Sequence, residues 1–131
     1  MAMTGRSNGR PPLYAARSSR HGRGVFAGRP FRRGEVLERS PMISLSAPDR
    51  RALERTPLRQ YLYERGHGAV LALGLGSLLN HARDPNARCE LLLDEGLLVV
   101  KARRAIQPGE EVTIRYCADD ELWFEPRDSK G

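Results

Sequence analysis

The first stretch whose residues could bind a ligand is a glycine-rich segment near the N-terminus. Gly22-Arg23-Gly24-Val25-Phe26-Ala27 matches the spacing of the dinucleotide-binding fingerprint, with alanine in its third small position. That fingerprint needs a strand before it and a helix after it, whereas Ser18-Ser19-Arg20-His21 precedes the segment and Gly28-Arg29-Pro30 follows it. We therefore expect either a turn whose two glycines let backbone amides approach a ligand, or a tight connection between strands.

A second candidate is the pair Asn80-His81, which is followed by Asp84-Pro85-Asn86. Taken alone, the pair is compatible with a turn, His81 with a buried histidine, and Asp-Pro-Asn with turn chemistry. The chain has three histidines and two cysteines, Cys89 and Cys117, and they lack the spacing of a zinc site or of an HExxH helix. No GxSxG segment indicates a serine nucleophile. These residues give no support for a bound metal or for a nucleophilic side chain.

The composition predicts one compact globular domain. The chain has 131 residues, of which 40% are apolar and 29% are charged. No apolar run approaches the ~18 residues that cross a bilayer, and no secretory signal is visible, so we expect a cytoplasmic protein without a membrane partner. The net charge of +6 comes from the first 33 residues, which hold eight arginines and no acid. Such a basic arm suits nucleic acid, although an arginine-rich coding composition would give the same pattern.

The first half of the chain predicts short strands and one short helix. Four segments are too short for a helix and are punctuated by Gly and Pro: Leu13–Arg17, Gly24–Ala27, Glu35–Glu38 and Met42–Leu45. A helix is expected to begin at Ala47-Pro48-Asp49 and to end by Arg55, because Thr56-Pro57 follows. Residues 74–81, which contain the Asn-His pair, keep no single period, so their backbone conformation is not predicted.

The second half predicts a hairpin and then a buried strand. Two apolar runs, Arg88–Leu93 and Leu97–Lys101, are joined by Asp94-Glu95-Gly96, whose glycine can supply a positive φ at a turn. The segment from Glu111 to Tyr116 alternates strictly, which places Val112, Ile114 and Tyr116 on one face. The tail holds Trp123 beside Phe124 in an acidic stretch, which we interpret as an aromatic clasp packed on a groove.

The order of these motifs resembles the SET-domain protein-lysine methyltransferases over about residues 12–125. Three segments carry the resemblance: Gly22-x-Gly24-Val25-Phe26-Ala27, Gly74-x-Gly-x-x-x-Asn80-His81-x-x-x-Pro85-Asn86-Ala87, and Ile106-x-x-Gly109-Glu110-Glu111-Val112-x-Ile114-x-Tyr116. Within the family, the chain is most similar to the short stand-alone viral histone lysine methyltransferases, which share Tyr61-Leu62 and Asp84-Pro85-Asn86-Ala87-Arg88. We divide the chain into a flexible basic arm (1–11), a SET domain (12–125) and a C-terminal tail (126–131).

The resemblance implies a mainly β fold of several small sheets with short helices and a C-terminal pseudoknot, in which the last strand threads beneath the Asn-His loop. It implies S-adenosylmethionine as cofactor and methyl transfer to a lysine ε-amine of a histone or a basic histone-like protein. The turn His21-Gly22-Arg23-Gly24 would lie against the amino-acid end of the cofactor, and Asn80-His81 would contact its amino group and adenine. Tyr116 would lie beside the transferred methyl, and Tyr61 would line the lysine channel. Trp123 or Phe124 would pack near the adenine or close the channel.

Two features depart from the family pattern. The cysteine-rich zinc segments that many relatives carry before the domain and after the catalytic tyrosine are missing, so Trp123 and Phe124 must complete the pocket without a metal. The viral relatives also have a second tyrosine soon after the first, where this chain continues Tyr116-Cys117-Ala118-Asp119-Asp120-Glu121-Leu122-Trp123. Tyr63 is our candidate to take its place.

Other functions stay open beside the methyltransferase. A catalytically weak SET module could bind chromatin or nucleic acid through the basic arm, since a fold does not guarantee an activity. A small homodimeric interaction domain is compatible with either function, because the viral relatives pair. The compartment would be the nucleus instead of the cytoplasm if the protein acts on host chromatin.

Overall fold

The computed structural model describes residues 11–20 and 22–115. This part of the chain holds nine strands, which are β1 (Leu13–Arg17), β2 (Arg23–Ala27), β3 (Val36–Leu45), β4 (Leu62–Arg65), β5 (Gly68–Ala72), β6 (Asn80–His81), β7 (Ala87–Leu92), β8 (Leu97–Ala102) and β9 (Glu111–Ile114). It also holds one α-helix, α1 (Ala47–Leu53), and two 3-10 helices, Pro57–Tyr61 and Gly74–Ser77. The predicted mainly β fold with short helices is confirmed.

The smaller sheet carries both candidate ligand motifs. Its strand order is β1-β2-β9-β6. β9 runs antiparallel to β2, with Val25 opposite Val112, and parallel to β6, with Asn80 opposite Thr113. The strand that follows the Gly-Glu-Glu turn therefore lies between the glycine-rich strand and the Asn-His strand. The chain after Arg115, which would complete the predicted pseudoknot, lies outside the described residues.

The larger sheet has the order β4-β5-β3-β8-β7, and its neighbouring strands are antiparallel. β3 is a single strand of ten residues, whereas the sequence predicts two separate segments. It pairs with β8 through Val36–Pro41 and with β5 through Met42–Leu45. Pro41 lies where the strand changes partner, a position at which its missing N–H is tolerated. In the sequence, this proline indicated a break between two strands. In the structure, it lies inside one long strand.

The short helix and the hairpin form where the sequence predicts them. α1 begins with a capping box between Ser46 and Asp49 and ends at Leu53, slightly before the predicted limit of Arg55. The β7–β8 hairpin turns at Gly96, whose φ of 67° lies in the left-handed region. No helix in the described ranges is long and apolar enough to cross a membrane.

An acidic residue on this hairpin has a perturbed ionisation equilibrium. A hydrogen bond from the Arg88 guanidinium lowers the pKa of the Glu90 carboxyl from its ordinary value of 4.5, with burial opposing the shift and Lys101 adding to it. The Lys101 Nζ lies 3.3 Å from Glu90 Oε1. The carboxylate thus joins the two strands of the hairpin through opposite charges, on a partly exposed surface.

The inner faces of the two sheets form the core. Val25, Leu98, Ile106, Val112 and Ile114 are fully buried. Each such side chain contributes about 1.5–3 kcal/mol when it is removed from water. The predicted apolar face of the segment from Glu111 onward is confirmed for Val112 and Ile114, and Tyr116 lies outside the described residues.

Polar side chains fasten β9 to the loop that follows the Asn-His strand. The Thr113 N–H donates to Asn86 Oδ1 at 2.9 Å, and Asn86 Nδ2 donates to the Glu111 carbonyl at 2.8 Å. Both Asn86 and Thr113 are buried. Because buried polar groups are costly unless they are paired, this two-way pairing fixes the position of β9 relative to the loop.

Candidate active site

The glycine-rich segment is a turn between two strands. Gly22 lies between β1 and β2, and its carbonyl accepts a hydrogen bond of 2.7 Å from the Ser18 N–H. Its φ of 57° is in the left-handed region, which glycine adopts without penalty. Since strands lie on both sides, the segment is not the strand-to-helix turn of a dinucleotide-binding fold, as its sequence context predicted.

Asn80 connects the Asn-His strand to the glycine-rich segment. Its Nδ2 donates to the Arg23 carbonyl at 3.0 Å and to Glu111 Oε2 at 2.8 Å. His81, the next residue, is half-buried and lies opposite Ile114 in the parallel pairing of β6 with β9. The structure therefore brings the glycine-rich segment and the Asn-His pair together, although they are more than fifty positions apart in sequence.

The carboxylate of Glu111 lies at the centre of this contact. Ser18 Oγ donates to Glu111 Oε1 at 2.8 Å, and Arg20 Nε lies 3.6 Å from the same oxygen. The Glu111 side chain is 11% exposed. The sequence indicates no role for this residue beyond its place in the family motif. The alternation of β9 was the available signal, because it places Glu111 on the face opposite the buried Val112.

Gly24 leaves the space that the Glu111 carboxylate occupies. A Cβ at this position would lie 2.2 Å from Glu111 Oε2 and 3.0 Å from Asn80 Nδ2. Gly22 differs, because a Cβ there would meet no atom within 4 Å. The two glycines of the motif thus serve different purposes, a left-handed turn at Gly22 and a close approach of side chains at Gly24.

A second polar cluster holds the segment that leads to Asn80. The Leu75 N–H donates to Glu38 Oε2 at 3.1 Å, and the Gly76 N–H donates to Ser40 Oγ at 3.0 Å. Ser40 is fully buried and donates in turn to Glu38 Oε2 at 2.9 Å. These side chains of β3 receive the first N–H groups of the 3-10 helix Gly74–Ser77, which would otherwise lack partners. The cluster explains how a segment without periodicity acquires a defined conformation.

The two tyrosines predicted to line a lysine channel lie in different environments. Tyr61 ends the 3-10 helix Pro57–Tyr61 and is 39% exposed. Tyr63 lies on β4, packs against the core, and donates its hydroxyl to the Gly76 carbonyl at 2.7 Å. The Tyr63 hydroxyl is thus engaged in holding the segment that leads to Asn80, whereas Tyr61 lies at the surface.

Several predicted site residues lie outside the described residues. They are His21 in the glycine-rich turn, Tyr116 after β9, and Trp123 and Phe124 in the tail, as well as most of the basic arm and the whole C-terminal tail. Their roles stay predictions from the sequence. Within residues 11–20 and 22–115, no group of three or more His, Cys, Asp or Glu side chains is placed to hold a metal ion.

A cleft of about 520 Å³ opens beside Glu111. Among the described residues, its charged lining consists of Arg17, Arg20, Arg104, Asp84, Glu110 and Glu111. Guanidinium groups and carboxylates are equally represented there. The described part of the lining therefore carries no excess of positive charge that would favour a polyanion.

Comparison with known proteins identifies the class to which this fold and site belong. A model of the SET domain matches residues 22–117. A histone-lysine N-methyltransferase of Schizosaccharomyces pombe, specific for lysine 37 of histone H3, is 36% identical over 124 residues, which are 93% of this chain and 83% of that protein. The chain belongs to the SET-domain family, and it is a protein-lysine methyltransferase.

Solved structures agree with this assignment. The crystal structure of a Plasmodium falciparum protein, a proposed histone methyltransferase, is similar with a TM-score of 0.64 and 30% identity, over 88% of this chain and 99% of that chain. A humanized mutant of the Chaetomium thermophilum Polycomb Repressive Complex 2, bound to the inhibitor GSK126, is similar with a TM-score of 0.60 and 22% identity. That likeness covers 78% of this chain and 14% of the other, and it concerns the fold alone.

Proposed function

We propose that the protein transfers a methyl group from S-adenosylmethionine to the ε-amine of a lysine in a histone or a basic histone-like protein. The observation that carries the proposal is the contact of Asn80 with both Arg23 and Glu111, which assembles all three sequence motifs at one place. The similarity to the Schizosaccharomyces pombe enzyme supports a histone as the substrate.

The described residues fit the proposed cofactor. The backbone at Gly22 is accessible, since a Cβ there would meet no atom within 4 Å, and the Asn80 amide donates to the carbonyl of the next residue, Arg23. The Glu111 carboxylate lies behind Gly24, where it is hydrogen-bonded by Ser18 and Asn80. S-adenosylmethionine offers polar groups to the open backbone beside it, namely an ammonium and a carboxylate at its amino-acid end. Gly22, Arg23, Gly24, Asn80 and His81 would hold it, together with His21.

The chemistry of the reaction explains why no nucleophilic side chain is needed. S-adenosylmethionine supplies a methyl group that the lysine nitrogen can attack directly. The protein must align a neutral amine with that methyl, and positioning alone can supply much of the acceleration. Lysine has an ordinary pKa near 10.4, and a desolvated channel near a positive charge lowers it, because both effects disfavour the ammonium form.

We assign the wall of that channel to aromatic residues. Tyr116 would orient the amine through its hydroxyl, and Tyr61 would line the channel. Tyr63 would substitute for the second tyrosine of the viral relatives through its ring or its hydroxyl oxygen, because its hydroxyl hydrogen is donated to the Gly76 carbonyl. Trp123 and Phe124 would cover the adenine or close the channel. The exposed position of Tyr61 is compatible with contact to an incoming lysine.

The finer features that follow from the viral resemblance are part of the proposal. We propose that the chain resembles the short stand-alone viral members and forms a homodimer as they do. We also propose that it acts in the cytoplasm or, if its substrate is chromatin, in the nucleus. The basic arm would add electrostatic attraction to nucleic acid near the substrate.

Mass spectrometry of methyl transfer tests the proposed function. Labelled S-adenosylmethionine is incubated with histone octamers, with a bacterial DNA-binding protein and with ribosomal proteins, using wild type and Tyr116→Phe. We expect a methylated lysine in histone H3 that is lost in the variant while cofactor binding persists. Salt-dependent DNA binding with neither methyl transfer nor cofactor binding would instead favour a binding module.

A further inference from the structure

We propose that Glu111 is a positioning residue, which holds the glycine-rich turn and Asn80 in one fixed arrangement on the cofactor side of the site. This inference deepens the proposed function and rests on it. Glu111 does not itself contact the substrate. It acts through the two groups that we propose to contact the cofactor, the Arg23–Gly24 backbone and the Asn80 side chain.

The Glu111 carboxylate bonds to the segment after β1 and to Asn80 on β6, and it passes close to Gly24 on β2. Both oxygens accept from Ser18 Oγ, at 2.8 and 3.0 Å, and Oε2 also accepts from Asn80 Nδ2 at 2.8 Å. Arg20 Nε lies 3.6 Å from Oε1, and the absence of a side chain at Gly24 leaves room for Oε2. A carboxylate with 11% exposure requires such donors, because a charge withdrawn from water is stable only when it is paired.

Glu111 determines how the Asn80 amide is oriented. The Asn80 Nδ2 group has two hydrogens, and the structure directs one to the Arg23 carbonyl and the other to Glu111 Oε2. Both acceptors require the nitrogen end of the amide, so Oδ1 points away from them. Without the carboxylate, Asn80 Nδ2 loses one of its two hydrogen-bond acceptors. The amide can then rotate about its remaining hydrogen bond to the Arg23 carbonyl on β2.

The neighbouring residue provides a matched control. Glu110 has the same side chain and also lines the cleft, but its Oε2 accepts from the Gln107 N–H at 2.7 Å in an exposed turn. Glu110→Ala and Glu111→Ala therefore remove the same group from adjacent positions. Glu111→Gln keeps the shape, since its oxygen can accept from Asn80 while its amide donates to the Ser18 hydroxyl oxygen.

Two measurements on the full chain test the proposal. In the free protein, NMR follows the side-chain amide signals of Asn80 and their exchange with solvent. In the binding experiment, calorimetry gives the Kd for S-adenosylmethionine, and kcat is measured at saturating cofactor. We expect Glu111→Ala to accelerate the Asn80 amide exchange and to raise the Kd roughly tenfold, with a smaller effect on kcat. Glu111→Gln should recover most of the binding, and Glu110→Ala should match wild type.

The outcomes separate this inference from the proposed function. If wild type binds no S-adenosylmethionine, the proposed function fails, and the NMR measurement still decides whether Glu111 holds Asn80. If wild type binds the cofactor and Glu111→Ala matches Glu110→Ala in Kd and in amide exchange, the positioning role is overturned. A Glu111→Gln variant that folds but binds no better than Glu111→Ala overturns the hydrogen-bond arrangement on which the role depends.

Discussion

Replacing Gly24 with alanine adds one methyl group at the point where β2 passes the Glu111 carboxylate. Gly24 lies inside a strand and does not have a positive φ, so its backbone conformation is open to alanine. The added Cβ would lie 2.2 Å from Glu111 Oε2 and 3.0 Å from Asn80 Nδ2. The effect of Gly24→Ala is therefore steric, and it falls on the two side chains that join the motifs.

The size of the effect follows from the distance that the carboxylate must move. Ordinary contacts with a Cβ begin at 3.4 Å, so Glu111 must retreat by about 1 Å, which breaks hydrogen bonds of normal length to Ser18 and Asn80. A methyl group forced into a packed site costs about 1–3 kcal/mol. For a domain of this size we expect a fall in Tm of about 3–15 °C. Cofactor binding should weaken roughly tenfold, as when a hydrogen bond to a charged group is lost.

The assay compares Gly24→Ala in two backgrounds. Thermal unfolding and S-adenosylmethionine binding are measured for Gly24→Ala alone and together with Glu111→Ala. In the second background the carboxylate is gone, and the remaining close neighbour is a side-chain amide that can turn aside. The stability cost of Gly24→Ala should then fall by about half or more, because the carboxylate that the new methyl group would meet is absent. Substitutions at contacting residues have effects that do not add. Equal costs in both backgrounds would refute the steric explanation.

Three further substitutions test the support around the site and the hairpin. Ser40→Ala leaves the buried Gly76 N–H without its side-chain acceptor, and we expect urea unfolding to report a loss of about 1–3 kcal/mol. Tyr63→Phe removes the hydroxyl that donates to the Gly76 carbonyl, and the expected loss is about 0.5–1.5 kcal/mol; unchanged stability would contradict that role. The lowered pKa of Glu90 stabilises the fold above pH 4.5, and this contribution disappears as the pH falls through the lowered value. Glu90→Gln should therefore lose less stability on acidification than wild type does, a difference that chemical unfolding at pH 7 and pH 3 measures.

The parts of the fold that the sequence predicted are those set by local chemistry. The β7–β8 hairpin follows from two apolar runs around Gly96, and α1 from its capping residues. β3 was predicted in two pieces because Pro41 normally interrupts a sheet, and the sequence does not reveal that the strand changes partner there. The parallel pairing of β6 with β9 joins Asn80 to Thr113, and no local signal encodes a contact between such distant positions.

The candidate site, like the fold, has a part that the sequence predicted and a part that it did not. Asn80 and the glycine-rich segment were identified from the order of motifs, and the structure places them in contact. Glu111 and Ser18 were missed because each is an ordinary polar residue in its own segment. Their roles arise from a hydrogen bond that spans 93 positions, which depends on the sheet order and on the space left at Gly24. The sequence indicated the motifs that we propose to bind the cofactor, but not the residues that hold those motifs in place.

The two faces of β9 hold the glycine-rich turn and the Asn-His strand in fixed positions relative to each other. Val112 and Ile114 are fully buried, so the hydrophobic core fixes the strand from one side. Glu111 faces the motifs, and Thr113 is held by the buried Asn86, so the other side is fixed by paired polar groups. A shift of one residue would exchange these two sets, placing apolar side chains against the polar groups of Asn80 and Asn86 and polar side chains in the core, which makes slippage costly. The carboxylate between the glycine-rich turn and Asn80 is therefore held in place by the core of the domain, which is why a single residue of β9 can position both.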